Sequence, residues 1–327
     1  MKLLVELSME CESLARSELL SAATALGGDP RVLGEDSGIA IVETMADPKV
    51  LASRLGLCHF VSEWLGTCPA KDLEGLASSI DVLGPIRVRS TKVGEKSLDL
   101  ASASRRVGAV IGKSRGVDLH KPESDIRIVF SDKVHVGRVV AAVDRSSFEK
   151  RKNRYMPFVY PASLHPKYAR ALVNLTRVRA SEILLDPFCG TGAIVAEAAM
   201  VGLAAHGTDF SERMIEGAGR NLNHLGLKAH LGVSDVGEVA RSVGQVRGIA
   251  TDPPYGRSTS TDGEEIPALL KRAFAAFAEV LDRRKRVAIV IPDPALLDSA
   301  EQFKVLEKHG LWVHRSLTRH FCVLERL

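Results

Sequence analysis

Residues 184–198 read LLDPFCGTGAIVAEA, a stretch that leaves a chain little choice of fold. An apolar run ends at an acid, Asp186; a turn carries Gly190, Thr191 and Gly192; an alanine-rich, helix-forming segment starts at once. Strand, glycine turn and helix in that order make the first crossover of a doubly wound sheet, where absent side chains let a ligand approach the backbone. The flanking sequence continues the pattern. Helix-patterned segments (167–178, 192–202, 211–226 and 266–281) alternate with short apolar runs (182–188, 203–210, 228–235, 246–253 and 285–292). Apolar runs of that length between helices predict parallel strands covered on both faces. The fold class is therefore α/β, with a Rossmann-like, mostly parallel sheet in the back half of the chain.

The same turn constrains the ligand. A dinucleotide fingerprint would continue G-x-G-x-x-G, but Val195 stands where the third glycine belongs. Asp186 also brings a carboxylate into the pocket, an unfavourable neighbour for a pyrophosphate and a favourable one for a sulfonium-bearing, aminoacyl-type cofactor. S-adenosyl-L-methionine is the cofactor expected, with Phe188, Gly190, Thr191 and Gly192 of the turn as candidate contacts. Asp209 ends the second run, close to the roughly 20-residue offset at which an acid meets ribose hydroxyls. Asp235 ends the third and is placed to accept from an adenine amine. A helix N-cap is the competing role for each of these two aspartates.

A second unit, IATDPPYGRST (249–259), carries the reaction. Proline fixes φ and has no N–H, so Pro253 and Pro254 end the strand and leave Asp252 and Tyr255 on a stiff loop. An exocyclic amine of a nucleobase is a poor nucleophile because its lone pair is delocalised into the ring. Two acceptors aimed at its hydrogens, Asp252 Oδ and the Pro253 carbonyl, would turn that lone pair toward a methyl group. The Tyr255 ring offers a face for an unstacked base.

The front half reads differently. Strands are expected at 2–8 and 37–44, and an amphipathic helix at 11–28; a second helix runs into a strand over 48–66. This is the pattern of a small ferredoxin-like α+β module, residues 1–66. A second module is expected over 67–143. There PIRVRSTK (85–92) turns Arg87 and Arg89 to one face, and the helix 101–116 carries Arg105, Arg106, Lys113 and Arg115. A proline-punctuated linker, 144–162, follows and leads into the catalytic domain, 163–327. Its Lys150, Arg151, Lys152 and Arg154 lie among aromatics, a composition that suits phosphate contacts with stacking but equally a solvated hinge.

Other classes fit less well. There is no G-x-S-x-G elbow, H-E-x-x-H pair or P-loop lysine motif. Five scattered cysteines without a C-x-x-C pair suggest reduced thiols and no metal site; Cys189, in the turn, reads as a small apolar filler. No uncharged apolar stretch is long enough to span a membrane, and the N-terminus has no signal-peptide pattern, so a cytoplasmic protein is expected. The net charge of +4 is only a weak pointer to nucleic acid.

DPFCGTG together with DPPYG resembles class I S-adenosylmethionine-dependent methyltransferases acting on nucleobase amines. More narrowly, YPASLHPKYARALVNL, DPFCGTGAIVAEAAMVG, TDPPYGRST and the terminal WVHRSLTRHFCVLE resemble the archaeal tRNA guanine-10 N2-methyltransferase family. VDLHKPESDIRIVF is similar to the core of a THUMP domain. The resemblance implies that Asp252, Pro253 and Tyr255 act on guanine N2, that His165 and Pro166 join the cofactor residues, and that a THUMP domain grips the 3′ end of tRNA. It also implies mono- and dimethylguanosine as products; a monomer is expected. The competing readings are another tRNA guanine such as position 6, an rRNA guanine, a DNA adenine methyltransferase, and a non-catalytic RNA-binding protein on a decayed methyltransferase fold.

Overall fold

The computed structural model describes residues 1–94, 98–161, 163–255, 263–315 and 317–327. Gly256, Arg257, Ser258 and Thr259 of the second motif therefore lie outside the described residues, as do Ala162 and Ser316 of the other quoted stretches. The chain forms two compact units. One comprises residues 1–12, 27–53 and 58–143; the other comprises 13–26, 54–57 and 144–327. Helix α1 (Glu12–Ala25), expected within the front domain, thus groups with the second unit.

The first unit is built on one seven-stranded sheet. Its strands are β1 (Lys2–Leu7), β2 (Arg31–Asp36), β3 (Ile39–Glu43), β4 (Cys58–Cys68), β5 (Ile86–Lys92), β6 (Ser124–Phe130) and β7 (Val134–Ala142), in the order β2-β3-β1-β4-β7-β6-β5. Its helices are α2 (Pro48–Arg54), α3 (Leu73–Ser78) and α4 (Leu100–Arg115). Only β5 and β6 run parallel, as the α4 crossover between them requires. Strand β4 passes straight through the boundary expected at Thr67, pairing with β1 on one side and β7 on the other. The two expected front modules therefore share a sheet. Val107 and Ile111 of α4 pack on Ile86, Ile126, Ile128 and Val136, and a buried Arg127–Glu6 pair (2.5 and 2.7 Å) lies on the same sheet.

The second unit holds the α/β pattern. Its strands are β8 (Ile183–Asp186), β9 (Ala204–Asp209), β10 (His230–Val233), β11 (Val246–Thr251), β12 (Leu281–Ile291), β13 (Phe303–His314) and β14 (Leu317–Arg326). The order is β10-β9-β8-β11-β12-β14-β13; the first five are parallel, and the β13–β14 hairpin joins antiparallel through β14. Around them are α5 (Arg145–Lys150), α6 (Pro166–Leu175), α7 (Ala193–Met200), α8 (Glu212–His224), α9 (Val239–Ser242) and α10 (Ile266–Val280). Phe274 and Phe277 of α10 pack with Ile249, Val287 and Ile289 of the central strands. Helix α5 lies inside the stretch read as a linker. Asp144 caps it by accepting from Ser147 N, and Phe148 is its one buried residue, too little to show a period.

Helix α1 is tied to this unit by a buried polar network. Glu18 accepts from Gly56 N and Leu57 N (both 2.8 Å) and from Asn174 Nδ2 (2.9 Å). The Asn174 Oδ1 accepts from Arg54 Nε (2.8 Å), and Arg54 also donates to the Val178 carbonyl (2.7 Å). Burial pushes the Glu18 carboxyl up to about 7, against the pull of those donors. Asn174 is the hub, since it serves both charged partners. An Asn174→Ala substitution leaves two buried groups short of a partner and should lower stability by about 2–3 kcal/mol in urea unfolding.

Candidate active site

The strand order reverses between β8 and β11: the chain runs outward from β8 through β9 to β10, then returns to β11 on the other side. Ligands of such sheets lie in the crevice at the carboxyl ends of the strands flanking that point. A cavity of about 690 Å³ opens there, with Asp186, Gly190, Asp209, Asp235, Asp252 and Tyr255 in its wall. Phe188, Thr191 and Pro253 line it as well.

The glycine turn is shaped by backbone conformation. Gly190 has φ 49° and Gly192 φ 81°, the left-handed region that disfavours any side chain. A Cβ on Gly192 would stand 3.1 Å from Ala218 Cβ, whereas Gly190 faces open space. The turn is held to the next strand by Asp209, which accepts from Gly190 N and Ser211 N (both 3.0 Å). Ser211 stands at the N-cap of α8, but its side chain makes no cap bond. Asp235 does cap the short turn Val236–Glu238 through Gly237 N (2.8 Å), and it also accepts from Arg272 of α10. Asp235 is thus a helix N-cap, whereas Asp209 holds the turn and leaves the N-cap of α8 to Ser211; both face the cavity.

Burial sets the protonation of the acids. Asp186 is buried and accepts from Thr251 Oγ1 (2.7 Å) and Phe188 N (3.2 Å). Loss of water pushes it up to about 7, the two donors pull it down, and the Asp252 and Asp209 charges add to the rise. Asp252, directly after β11, accepts from the Tyr255 phenol. Desolvation lifts it to about 6, opposed first by the Arg319 guanidinium and then by the Tyr255 bond. Burial also raises Asp209. Asp235 goes the other way: burial pulls it up, but the Arg272 bond and charge and the Gly237 N–H outweigh it.

Several residues of the wall were not foreseen from the sequence. Tyr160 and Pro161, at the end of the expected linker, form one side. Just before them, Phe158 is held by Asn221 of α8, whose Oδ1 accepts from Phe158 N (2.9 Å) and whose Nδ2 donates to the carbonyls of Phe158 and Thr191 (both 3.0 Å). Gly217 makes room, because a Cβ there would lie 2.1 Å from the Phe158 ring. Arg272 bridges Asp235 and Glu264 (2.7 Å to Glu264) across another side. Such contacts join residues far apart in sequence and leave no local pattern.

Other expectations need correction. His165 and Pro166 do not line this cavity: His165 caps α6 by accepting from Lys167 N through Nδ1 (3.2 Å), with Nε2 on Glu149, and Pro166 is the first helical residue. Arg151, placed with the RNA-contacting residues, is an internal partner of the buried Glu197 (2.9 Å). Lys152 pairs with Glu149. Arg87 and Arg89 do not stand free on a solvated strand face, since both hold Asp125 (2.7 and 2.5 Å). Arg106 pairs with Glu74 and Arg115 with Asp81. Arg105, Lys113, Lys150 and Arg154 are exposed, the last stacked on the exposed Tyr155 ring.

The residues present fit a cationic nucleoside ligand. Five carboxylates (Asp186, Asp209, Asp235, Asp252 and Glu264) face two arginines (Arg213 and Arg272) in the cavity wall, a balance that repels a pyrophosphate and attracts a sulfonium. The open face of Gly190 leaves the room such a group needs. Among the described residues no group of His, Cys, Asp and Glu could hold a metal ion, and no helix is long and apolar enough to cross a membrane.

The sheet order, the glycine turn and the Asp-Pro-Pro-Tyr loop define a class I S-adenosylmethionine-dependent methyltransferase. Residues 153–320 match the family described as RMKL-like, methyltransferase domain (UPF0020). A tRNA (guanine(10)-N2)-dimethyltransferase of Methanothermobacter thermautotrophicus is 35% identical over 338 residues, covering 100% of both chains. One of Pyrococcus abyssi is 36% identical, covering 83% of this chain and 85% of its own. Among solved structures, TrmN from Thermus thermophilus superposes with a TM-score of 0.56 at 24% identity over 100% of both chains. SMU.472, a putative methyltransferase complexed with SAH, gives 0.52 at 17%, covering 100% of this chain and 98% of its own; both share the fold. The chain belongs to the RMKL-like methyltransferase family, within the group of archaeal tRNA (guanine(10)-N2)-dimethyltransferases.

Two outcomes follow from the acids. Asp209→Ala removes a charged acceptor from the cavity wall and should weaken S-adenosylmethionine binding by roughly 1.5–3 kcal/mol in calorimetry. Asp186, raised in the fold from 3.8 to about 7, binds a proton more tightly folded than unfolded. Its stabilising contribution is therefore complete below pH 4 and is lost as pH rises toward 7. Asp186→Asn should flatten that decline in a urea series from pH 4 to pH 8, by about 3 kcal/mol.

Proposed function

We propose that this protein transfers methyl groups from S-adenosylmethionine to the exocyclic N2 of guanine 10 in tRNA. One observation carries the reading. An Asp-Pro-Pro-Tyr loop stands in the wall of an acid-lined cavity, in a chain 35% identical over its whole length to a relative of that named activity.

The chemistry follows from the wall. When bound, S-adenosylmethionine supplies an electrophilic methyl group on a sulfonium. Asp209 keeps lone pairs free for ribose hydroxyls beyond those facing Gly190 N and Ser211 N. Asp235 is placed for the adenine amine, and Asp186 for the cationic end. Asp252 Oδ and the Pro253 carbonyl accept the two hydrogens of guanine N2, so the lone pair is freed from the ring and aimed. Proline stiffness keeps both acceptors in place before the base arrives. Tyr255 gives the base a surface, and its hydroxyl fixes the carboxylate that does the accepting. After transfer the nitrogen carries one proton too many; Asp252, near 6, is charged at neutral pH and able to take it. A monomethylated amine retains one N–H for Asp252, so a second transfer needs no new residue, in accord with the dimethyltransferase names of the relatives.

The front unit, with residues 67–143 as a THUMP domain, is the part assigned to holding the tRNA 3′ end. The exposed Arg105 and Lys113 there, and Lys150 and Arg154 in the stretch before α6, are the phosphate contacts. The protein acts as a cytoplasmic monomer on this reading.

Incubating the protein with a tRNA transcript should give N2-methyl- and N2,N2-dimethylguanosine at position 10, mapped by nuclease digestion and mass spectrometry. Asp252→Ala should lower kcat by about 10²–10⁴-fold with S-adenosylmethionine affinity nearly unchanged. Modification at another nucleotide would move the assignment within the guanine methyltransferases, and an unaltered kcat would remove Asp252 from the reaction.

A further inference from the structure

Arg319 stands near the reacting centre and lies outside both the glycine turn and the Asp-Pro-Pro-Tyr loop. It lies on β14, and the register explains how it gets there. Strand β11 pairs in parallel with β12, Thr251 opposite Ile289, and β12 pairs antiparallel with β14, Ile289 opposite Cys322 and Ile291 opposite His320. The start of β14 is therefore level with the loop that leaves β11. The guanidinium of Arg319 stands close enough to Asp252 to oppose the effect of burial on that carboxyl, and it hydrogen-bonds the Tyr255 phenol.

Two features mark this arginine as more than a structural filler. The first is the charge around Asp252. Asp186 at the end of β8 is raised by the Asp252 charge and by Asp209 at the end of β9; Tyr255, on the same loop, is a neutral donor. Among the described residues Arg319, on β14 beyond β12, is the cation that acts on Asp252. The second is that Arg319 Nε is buried and, among the described residues, has no hydrogen-bond partner. A fold that needed only packing at this position has no reason to leave a buried N–H unmatched, because an apolar side chain would avoid that cost.

We propose that Arg319 is a positioning residue of the methyl transfer, holding Asp252 in its charged, hydrogen-accepting form and fixed against Tyr255. Without it, burial raises Asp252 with only the Tyr255 phenol opposing it among the described residues, and the neutral acid cannot accept a hydrogen through both oxygens. The target amine then loses the acceptor that frees its lone pair. The assignment rests on Asp252 being the acceptor in guanine methylation, as read above. Its sign is fixed: removing the positive charge must move the protonation of Asp252 to higher pH.

The test is the pH profile of kcat/KM for tRNA methylation by wild type, Arg319→Gln and Arg319→Lys. Glutamine keeps a donor for Tyr255 and loses the charge; lysine keeps the charge. Wild type should lose activity as pH falls through about 6. Arg319→Gln should show that limb moved up by one unit or more, with activity at pH 7 down at least tenfold and partly regained at pH 8.5. Arg319→Lys should restore the wild-type limb. Calorimetry with S-adenosylmethionine should give a Kd within twofold for all three, which shows that the fold and cofactor pocket are intact. Should Arg319→Gln fail to bind the cofactor, the Arg319→Lys profile decides: a wild-type limb supports the charge, a displaced one overturns it. An unshifted limb in a cofactor-binding Arg319→Gln also overturns the proposal. Absence of N2-methylguanosine from the wild-type product would instead fail the reading on which it rests.

Discussion

The catalytic unit depends on the register between β8 and β11. Ile249 stands opposite Leu185, and the side chain of Thr251, two residues on, reaches Asp186 at 2.7 Å. That bond closes the end of the pair and places Asp252 one residue beyond, beside a second buried acid. A slip of one residue would turn Thr251 to the opposite face and take its hydroxyl away from Asp186. Apolar packing prevents the slip: Leu185 and Ile249 are fully buried, with Phe274 and Phe277 of α10 in the same core. The ordinary hydrophobic core thus sets the geometry of the unusual polar site.

That site is held at a cost. Asp186, Asp209 and Asp252 are all raised by burial, so the fold works against the charge that the chemistry uses. Perturbed acids gathered in one cavity are what a site selected for function looks like, because a site selected for stability would replace them. The cost is limited where it can be. Asp209 receives two backbone N–H groups, Asp186 one N–H and a hydroxyl, and Asp235 an arginine. A cationic ligand offsets the remainder, which ties the affinity of the cavity to the same electrostatics that disfavour it empty of charge.

Much of this was legible in the sequence, and the boundary of legibility has a physical basis. The glycine turn, Asp209, Asp235 and the Asp-Pro-Pro-Tyr loop were all readable because a local backbone requirement fixes residue type: positive φ at Gly190 and Gly192, an imino ring at Pro253 and Pro254. The parallel strands announced themselves as apolar runs. Strand β13 did not, since Glu307 and His309 interrupt the apolar positions Phe303, Val305 and Leu311 of its inward face. Arg319 and Asn221 were missed for a different reason. Each acts through partners tens of residues away, so nothing near them in sequence hints at the role. His165 shows the converse: it sits beside the catalytic stretch in sequence, yet its side chain caps a helix.

The basic cluster at 150–154 shows how a single compositional signal can divide in three dimensions. Arg151 and Arg170 together satisfy the buried Glu197 of α7, at 2.9 and 2.7 Å, and Lys152 closes on Glu149. Lys150 and Arg154 remain at the surface. Two of the four charges thus fasten the segment, and two stay exposed. Further along, Asn221 fastens Phe158 and Thr191 with the same amide group, which makes Tyr160, Pro161 and the glycine turn parts of one rigid wall. The segment read as a linker is, within this unit, part of the wall of the cavity.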